Sequence, residues 1–214
     1  MKYDAITDKG LIRETNEDSF KIIEGCESRP YVFIIADGMG GHSCGELASK
    51  TAVNYISDTI TLDPDKFLSA GNREVELKKL IEMANTAVYQ KSLEQPEAFG
   101  MGTTLTMAVI ADVDMTVAHV GDSRLYMIRD GNMKQITEDH SFIEELVKKG
   151  SLTREEAENH PNKNIITRAI GCMPELDVDI LSLSVENNDI FILCTDGLTN
   201  MLGEDEILEL IKAN

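Results

Sequence analysis

Apolar residues in this chain gather into short runs that stop at Asp-Gly pairs. Tyr31-Val-Phe-Ile-Ile-Ala runs into Asp37-Gly38, and Ile190-Phe-Ile-Leu-Cys-Thr runs into Asp196-Gly197. Short apolar runs closed by a glycine turn read as core strands. Each strand would then carry an Asp as its last residue, held rigidly at the rim of the core. Asp-Gly is also ordinary turn chemistry after a strand, so neither cassette decides anything alone. Two carboxylates delivered from distant parts of the chain can nevertheless converge, and hard divalent cations favour oxygen ligands arranged this way.

The same pattern predicts further strands over Lys2–Thr7, Ser19–Glu24, Thr103–Ala111, Met115–Val120, Arg124–Arg129, Asn132–Gln135 and Asp179–Val185, with the two cassettes at Tyr31–Ala36 and Asp189–Cys194. Asp130-Gly131 is a hairpin signal, and Gly121-Asp122-Ser123 reads as a tight turn. Helical spacing predicts helices over Gly45–Ile60, Val75–Gln90, Phe142–Lys149, Arg154–Asn159 and Glu204–Lys212. In the second, Leu77, Leu80, Ile81, Ala84 and Val88 form one apolar face. Thr153 and Glu156 have capping-box spacing. Hairpins together with grouped helices predict an α+β fold with sheets packed on helices. The polar stretch from about Thr137 to Asn164 reads as a surface insertion within a single domain over residues 1–214.

Composition narrows the function classes. The chain has 214 residues, 42% of them hydrophobic, enough for a sizeable core. Its formal net charge of −18 disfavours nucleic acid and anionic membrane surfaces as partners, and suits divalent cations as well as plain solubility. None of the cysteines Cys26, Cys44, Cys172 and Cys194 forms a CxxC pair, which argues against a zinc ribbon or a thioredoxin-like site. No apolar run is long enough to span a bilayer, and no signal peptide precedes the first motif. A protein of the reducing cytoplasm is the expectation.

Candidate chemistry comes in ordered pieces. Arg13-Glu-Thr-Asn16-Glu17-Asp18 sets a guanidinium suited to bidentate phosphate contact beside acidic groups, or is simply a solvated loop. Asp37-Gly38-Met39-Gly40-Gly41-His42 is glycine-rich, as a backbone must be where it turns sharply or approaches a ligand closely. His42 is a candidate proton donor or a surface histidine, and the residues leave both open. Gly100-Met-Gly102-Thr103-Thr104, Ala118-His119-Val120-Gly121-Asp122-Ser123-Arg124, the stretch from Leu152 to Gly171, and the second Asp-Gly cassette complete the series.

Taken in order, these pieces resemble the metal-dependent Ser/Thr protein phosphatases of the type 2C class, in their compact bacterial form. The resemblance runs over nearly the whole chain and is most specific at Asp37–His42 and Gly121–Arg124. It implies two antiparallel β-sheets packed as a sandwich and flanked by helices, with two Mn²⁺ or Mg²⁺ ions at one end. Asp37 would bridge the ions, the Gly38 carbonyl would complete the first site, and Asp196 with Glu17 would serve the second. Asp18 would hold waters, Arg13 the substrate phosphate, and Asp122 with Asp196 a third ion of the kind bacterial relatives bind. His42 would be a candidate acid for the leaving group, and 137–164 a flap beside the cleft.

The implied reaction is direct hydrolysis of phosphoserine and phosphothreonine in proteins by a metal-activated water, without a phosphoenzyme. A cognate Ser/Thr kinase is an implied signalling partner. Family members continue beyond the helix matching Glu204–Lys212 into a glycine-rich turn, an Asp-Asn pair and a last strand. The sequence ends at Asn214 without that pair, so either it is a truncated product or the protein lacks that ligand; in the second case the second ion would be one carboxylate short and a sheet edge open to another chain. Two alternatives follow: a degenerate phosphatase acting as a phosphoprotein-binding or regulatory module, and a small-molecule phosphomonoesterase.

Overall fold

The computed structural model describes residues 1–41, 44–158 and 160–213. Strand β2 (Tyr31–Met39) shows why the fold is layered. Val32, Ile34 and Ala36 are fully buried on one face, while Tyr31 and Phe33 point to the other. Strict alternation of this kind gives a sheet two apolar faces, and each must be covered.

The larger sheet runs β1 (Asp18–Ile23), β2, β4 (Leu105–Ala111), β5 (Asp114–Val120), β8 (Asp179–Ser184), with the short β3 (Gly102–Thr103) paired to the end of β2. All these pairings are antiparallel. One face is covered by α1 (Cys44–Leu62) and α2 (Ala70–Glu94), whose Ala48, Ala52, Ile56, Leu77, Ile81 and Val88 join Val32, Ile34, Met107 and Val109 in the main core. Burying each large aliphatic side chain there contributes about 2 kcal/mol. The other face carries Ala108, Ile110, Met115 and Val117 against a second sheet, β7 (Asn132–Gln135), β6 (Arg124–Arg129), β9 (Ile190–Cys194), through Leu125, Phe191 and Leu193. The two sheets make the expected sandwich with helices outside.

The predicted apolar face of α2 is buried throughout, and the helix extends beyond Val75–Gln90 at both ends. The Asp130-Gly131 hairpin forms with both residues at positive φ, 51° and 75°, as its turn type requires. Thr153 and Glu156 make their capping box at the start of α4 (Arg154–Glu158). Ser141 caps α3 (Phe142–Lys148) by accepting from the Glu144 N–H at 3.2 Å. A short α5 (Asp196–Thr199) was not foreseen, and α6 (Glu204–Lys212) is as expected.

Three expectations are corrected. Residues Lys2–Thr7 form no strand. They pair with no ladder, and Ile6 among them and Leu11 and Ile12 just after are exposed, so alternation alone gives no stability without a partner edge. The stretch Thr103–Ala111 is broken at Thr104, which turns its backbone N–H to the Asp37 carbonyl instead of continuing the ladder. Neither Asp of the two cassettes ends its strand. Asp37 lies within β2, which β3 prolongs to Met39, and Asp196 opens α5 after β9 has ended at Cys194.

Candidate active site

The acidic cluster begins with strand register. In the β1–β2 ladder Asp18 stands opposite Asp37. Just before it, the Glu17 carbonyl accepts the Gly38 N–H at 3.2 Å. Gly38 then meets Gly45, in the first turn of α1, backbone against backbone. A Cβ on Gly38 would press into the Gly45 carbonyl and come within 2.7 Å of Glu17 O. A Cβ on Gly45 would lie 2.6 Å from Gly38 O and 2.7 Å from the Glu17 carboxylate oxygen Oε1. These are the glycines whose missing side chains permit the close approach. They bring Glu17, Asp37 and the Gly38 peptide to one place.

Asp37 is clamped from the opposite side. Its N–H donates to Thr104 Oγ1 at 2.8 Å, and its carbonyl accepts from the Thr104 N–H and from Thr103 Oγ1, both at 2.9 Å. The Thr104 and Ser123 hydroxyls are paired at 2.7 Å, which joins β2 to the turn carrying Asp122. Gly121 in that turn has φ +107°, and a Cβ there would fall 2.6 Å from Thr104 Cγ2, so glycine is required twice over. Asp196 is brought in by its neighbour: the Thr195 hydroxyl donates to Asp18 Oδ2 at 2.9 Å. Asn200 Nδ2 donates to Asp196 Oδ2, also at 2.9 Å.

Asp18, Asp37, Asp122 and Asp196 therefore act on one another. Desolvation first, then the charges of Asp18, Asp196 and Asp122, push the Asp37 carboxyl up to about 8. Desolvation with Asp196 and Asp139 raises Asp122 to about 6, and desolvation with Asp196 raises Asp18. Anions this close cannot all ionise unless a positive charge joins them. Among the described residues no three His, Cys, Asp or Glu side chains stand together in a way that could hold a metal ion as placed. The carboxylates are gathered pairwise, and all the donors are hard oxygens, which fits Mg²⁺ or Mn²⁺ rather than a soft metal.

The other expected residues fare differently. Arg13 lies in the exposed N-terminal stretch, yet its charge reaches Asp18 and opposes the rise there. His42 lies outside the described residues. Arg124, which closes the motif around Asp122, uses its guanidinium within the protein: Nε and Nη2 grip Asp139, with Nη2 at 2.6 Å from Oδ2, and Nη1 donates to the Tyr126 hydroxyl at 2.9 Å. Several positioning groups were not assigned from sequence, namely Thr104, Ser123, Thr195 and the buried His119 and His140. The first two sat in motifs already singled out by their glycines, but nothing in the linear pattern showed that their hydroxyls meet.

A family model described as protein phosphatase 2C matches residues 13–213. The chain belongs to the protein phosphatase 2C family. The serine/threonine phosphatase stp of Listeria monocytogenes is 41% identical over 97% of this chain and 81% of its own length. Protein phosphatase PhpP of Streptococcus pneumoniae is 39% identical over 100% of this chain and 85% of its own. Among solved structures, Stp1 from Staphylococcus aureus superposes with a TM-score of 0.89 at 34% identity, covering 96% of this chain and 80% of that one. The catalytic domain of PstP, solved with two manganese ions, gives a TM-score of 0.82 at 34% identity, covering 99% of this chain and 84% of that one. The family is that of metal-dependent Ser/Thr protein phosphatases, and the acidic cluster sits where two strands, a turn and a helix start converge. None of these findings favours the degenerate alternative.

Proposed function

We propose that Glu17, Asp37, the Gly38 carbonyl, Asp122 and Asp196 hold the divalent cations of a phosphatase acting on phosphoserine and phosphothreonine in proteins. The observation that carries this is the convergence of separate segments: Asp18 stands opposite Asp37 in the β1–β2 ladder, Glu17 lies against Gly38 and Gly45, Thr195 ties the Asp196 helix start to Asp18, and Thr104 with Ser123 ties in the Asp122 turn, a crowding that pushes the Asp37 carboxyl up to about 8. Mn²⁺ or Mg²⁺ bound there supplies activation of a water and neutralisation of charge on the phosphoryl oxygens. Asp37 would be the central carboxylate of this cation site, and Asp122 with Asp196 would hold a further ion. Asp18, tied to Thr195, orients water at the rim of the cluster. Arg13 binds the phosphate through its planar donors and His42 protonates the leaving seryl or threonyl oxygen.

Residues 1–214 act as one catalytic domain, with 137–164 as a flap that helps choose the substrate. α3 and α4 lie within that segment, and its ends are drawn together by the Ser141–Ile166 bridge, which supports the reading. A cognate Ser/Thr kinase supplies the phosphoproteins, and the pair works in the cytoplasm. Among the described residues no helix is long and apolar enough to cross a membrane.

The test is hydrolysis of a phosphothreonine peptide titrated with Mn²⁺ and with Mg²⁺, run beside Asp37→Asn. Turnover should require the cation and fall by about 100-fold or more in the variant, the scale of losing a main electrostatic element of a site. Metal-independent turnover, or an active Asp37→Asn, would refute the assignment.

A further inference from the structure

The turn that carries Asp122 is held by a side chain from outside it. The Gly121 N–H donates to Nδ1 of His140 at 3.1 Å, and the Gly121 carbonyl accepts the backbone N–H of His140 at 2.7 Å. Both polar groups of Gly121, a residue in the left-handed region, thus end on a single histidine that is 5% exposed. An N–H can only donate, so Nδ1 must carry a lone pair and the ring proton lies on Nε2. Nε2–H then donates to Asp179 Oδ2 at 3.1 Å. Arg168 Nη1 donates to the other oxygen of Asp179 at 2.9 Å, which leaves its 3.3 Å approach to Nε2 as a contact between two donors. Asp179 therefore orients the ring and Arg168 anchors Asp179.

The same residue sits at the root of 137–164. Its carbonyl accepts the Thr167 N–H at 2.8 Å, and its neighbour Ser141 bridges to Ile166. Asp139 on its other side is gripped by Arg124, directly after the Asp122 turn. His140 thus joins three things: its ring ties the Asp122 turn to the Asp179 strand, and its backbone ties both to the chain segments at the root of the flap.

We propose that His140 is a positioning residue for Asp122, its Nδ1 setting that carboxylate toward the cation cluster through the bond it accepts from the Gly121 N–H, beside a backbone bond that any residue at 140 would keep. This rests on the reading of Asp122 as a cation ligand. The alternative role for the same ring is purely structural, a pin between the flap root and Asp179, and the two roles use different ring nitrogens. Asparagine presents an oxygen where Nδ1 stands and can accept from Gly121, but does not reach Asp179. Glutamine places a donor near Nε2 and can reach Asp179, but leaves the Gly121 N–H unanswered.

The experiment is Mn²⁺ binding by calorimetry, together with phosphopeptide turnover against Mn²⁺ concentration, for His140→Asn, His140→Gln, His140→Ala and Asp122→Ala. The proposal expects the Ala and Gln variants to need about tenfold more Mn²⁺ for the binding event that Asp122→Ala removes, and Asn to stay within about threefold of the wild type. Rescue by Gln and not by Asn would overturn it in favour of the structural pin. Wild-type Mn²⁺ binding in both Gln and Ala, with the event still lost in Asp122→Ala, would also overturn it while sparing the site. Unchanged binding in Asp122→Ala would instead sink the reading of Asp122 and the proposal with it. Should the Ala variant fail to fold, the Asn and Gln pair decides alone.

Discussion

Asp37→Asn should make the metal-free protein more stable while destroying the enzyme. Asp37 is displaced from its ordinary 3.8 to about 8 by burial and by the charges of Asp18, Asp196 and Asp122. An acid whose folded pKa stands above its unfolded one costs nothing below pH 3.8. It destabilises progressively as pH rises, and reaches its full penalty above about 8. At pH 7 the upper limit is about 4 kcal/mol, from about 1.4 kcal/mol per pH unit. Water at the half-buried mouth of the site screens the charge terms, so about 2 kcal/mol is the working figure. For a chain of this size that is a rise of roughly 4–8 °C in Tm. Asparagine is nearly isosteric, and its amide can donate to Asp18 and Asp196 at every pH, where the carboxyl donates only when protonated. The assay is thermal unfolding in chelator from pH 4 to pH 8.5, for wild type and variant, repeated with saturating Mn²⁺. The variant should gain stability over the wild type as pH rises, and Mn²⁺ should reverse the order, because only the wild type can bind it fully. Taking the difference between the two proteins removes titrations they share, such as that of buried His119, which burial and His140 push down to about 4. A metal-free variant less stable than wild type at pH 8, or a difference that does not change with pH, would refute the claim that Asp37 sits among uncompensated anions.

If Arg13 holds the substrate phosphate as proposed, Arg13→Ala should raise KM by about tenfold, equivalent to about 1.4 kcal/mol, with a smaller fall in kcat, because an exposed clamp of that kind would bind ground and transition states alike. An unchanged KM in steady-state kinetics would remove Arg13 from the substrate site. Thr104→Val keeps the shape of a buried side chain but takes away the acceptor of the Asp37 N–H and the partner of the Ser123 hydroxyl. Urea unfolding of the metal-free protein should show a loss of about 1–3 kcal/mol, the cost of leaving buried polar groups unpaired. A loss under about 0.5 kcal/mol would mean that water or a shifted hydroxyl replaces the clamp.

What could be read from the linear pattern is what local physics controls. The apolar face of α2 at Leu77, Leu80, Ile81, Ala84 and Val88 is visible because helical spacing and burial coincide there. Asp130-Gly131 is visible because few residue pairs accept two positive φ angles in succession. Lys2–Thr7 shows where that logic stops: a strand depends on an edge to pair with, and six residues of suitable type do not carry that information. Asp196 shows a subtler failure. The apolar run before it marks β9 correctly, but the carboxylate reaches the cluster from the start of a helix, located by the bond from Thr195 to Asp18. Its approach to Asp37 is thus set by a contact between residues far apart in the chain. The groups that align the carboxylates, Thr104 with Ser123 and His140 with Gly121, belong to the same class. Thr104, Ser123 and His140 are buried polar side chains that depend on a specific partner, since leaving one unpaired costs about 1–3 kcal/mol, more than the bond itself contributes. A hydrophobic pattern records only which residues leave water, so it can announce the acidic residues at the ends of apolar runs. It is silent about the hydroxyls and the imidazole that decide whether those carboxylates meet.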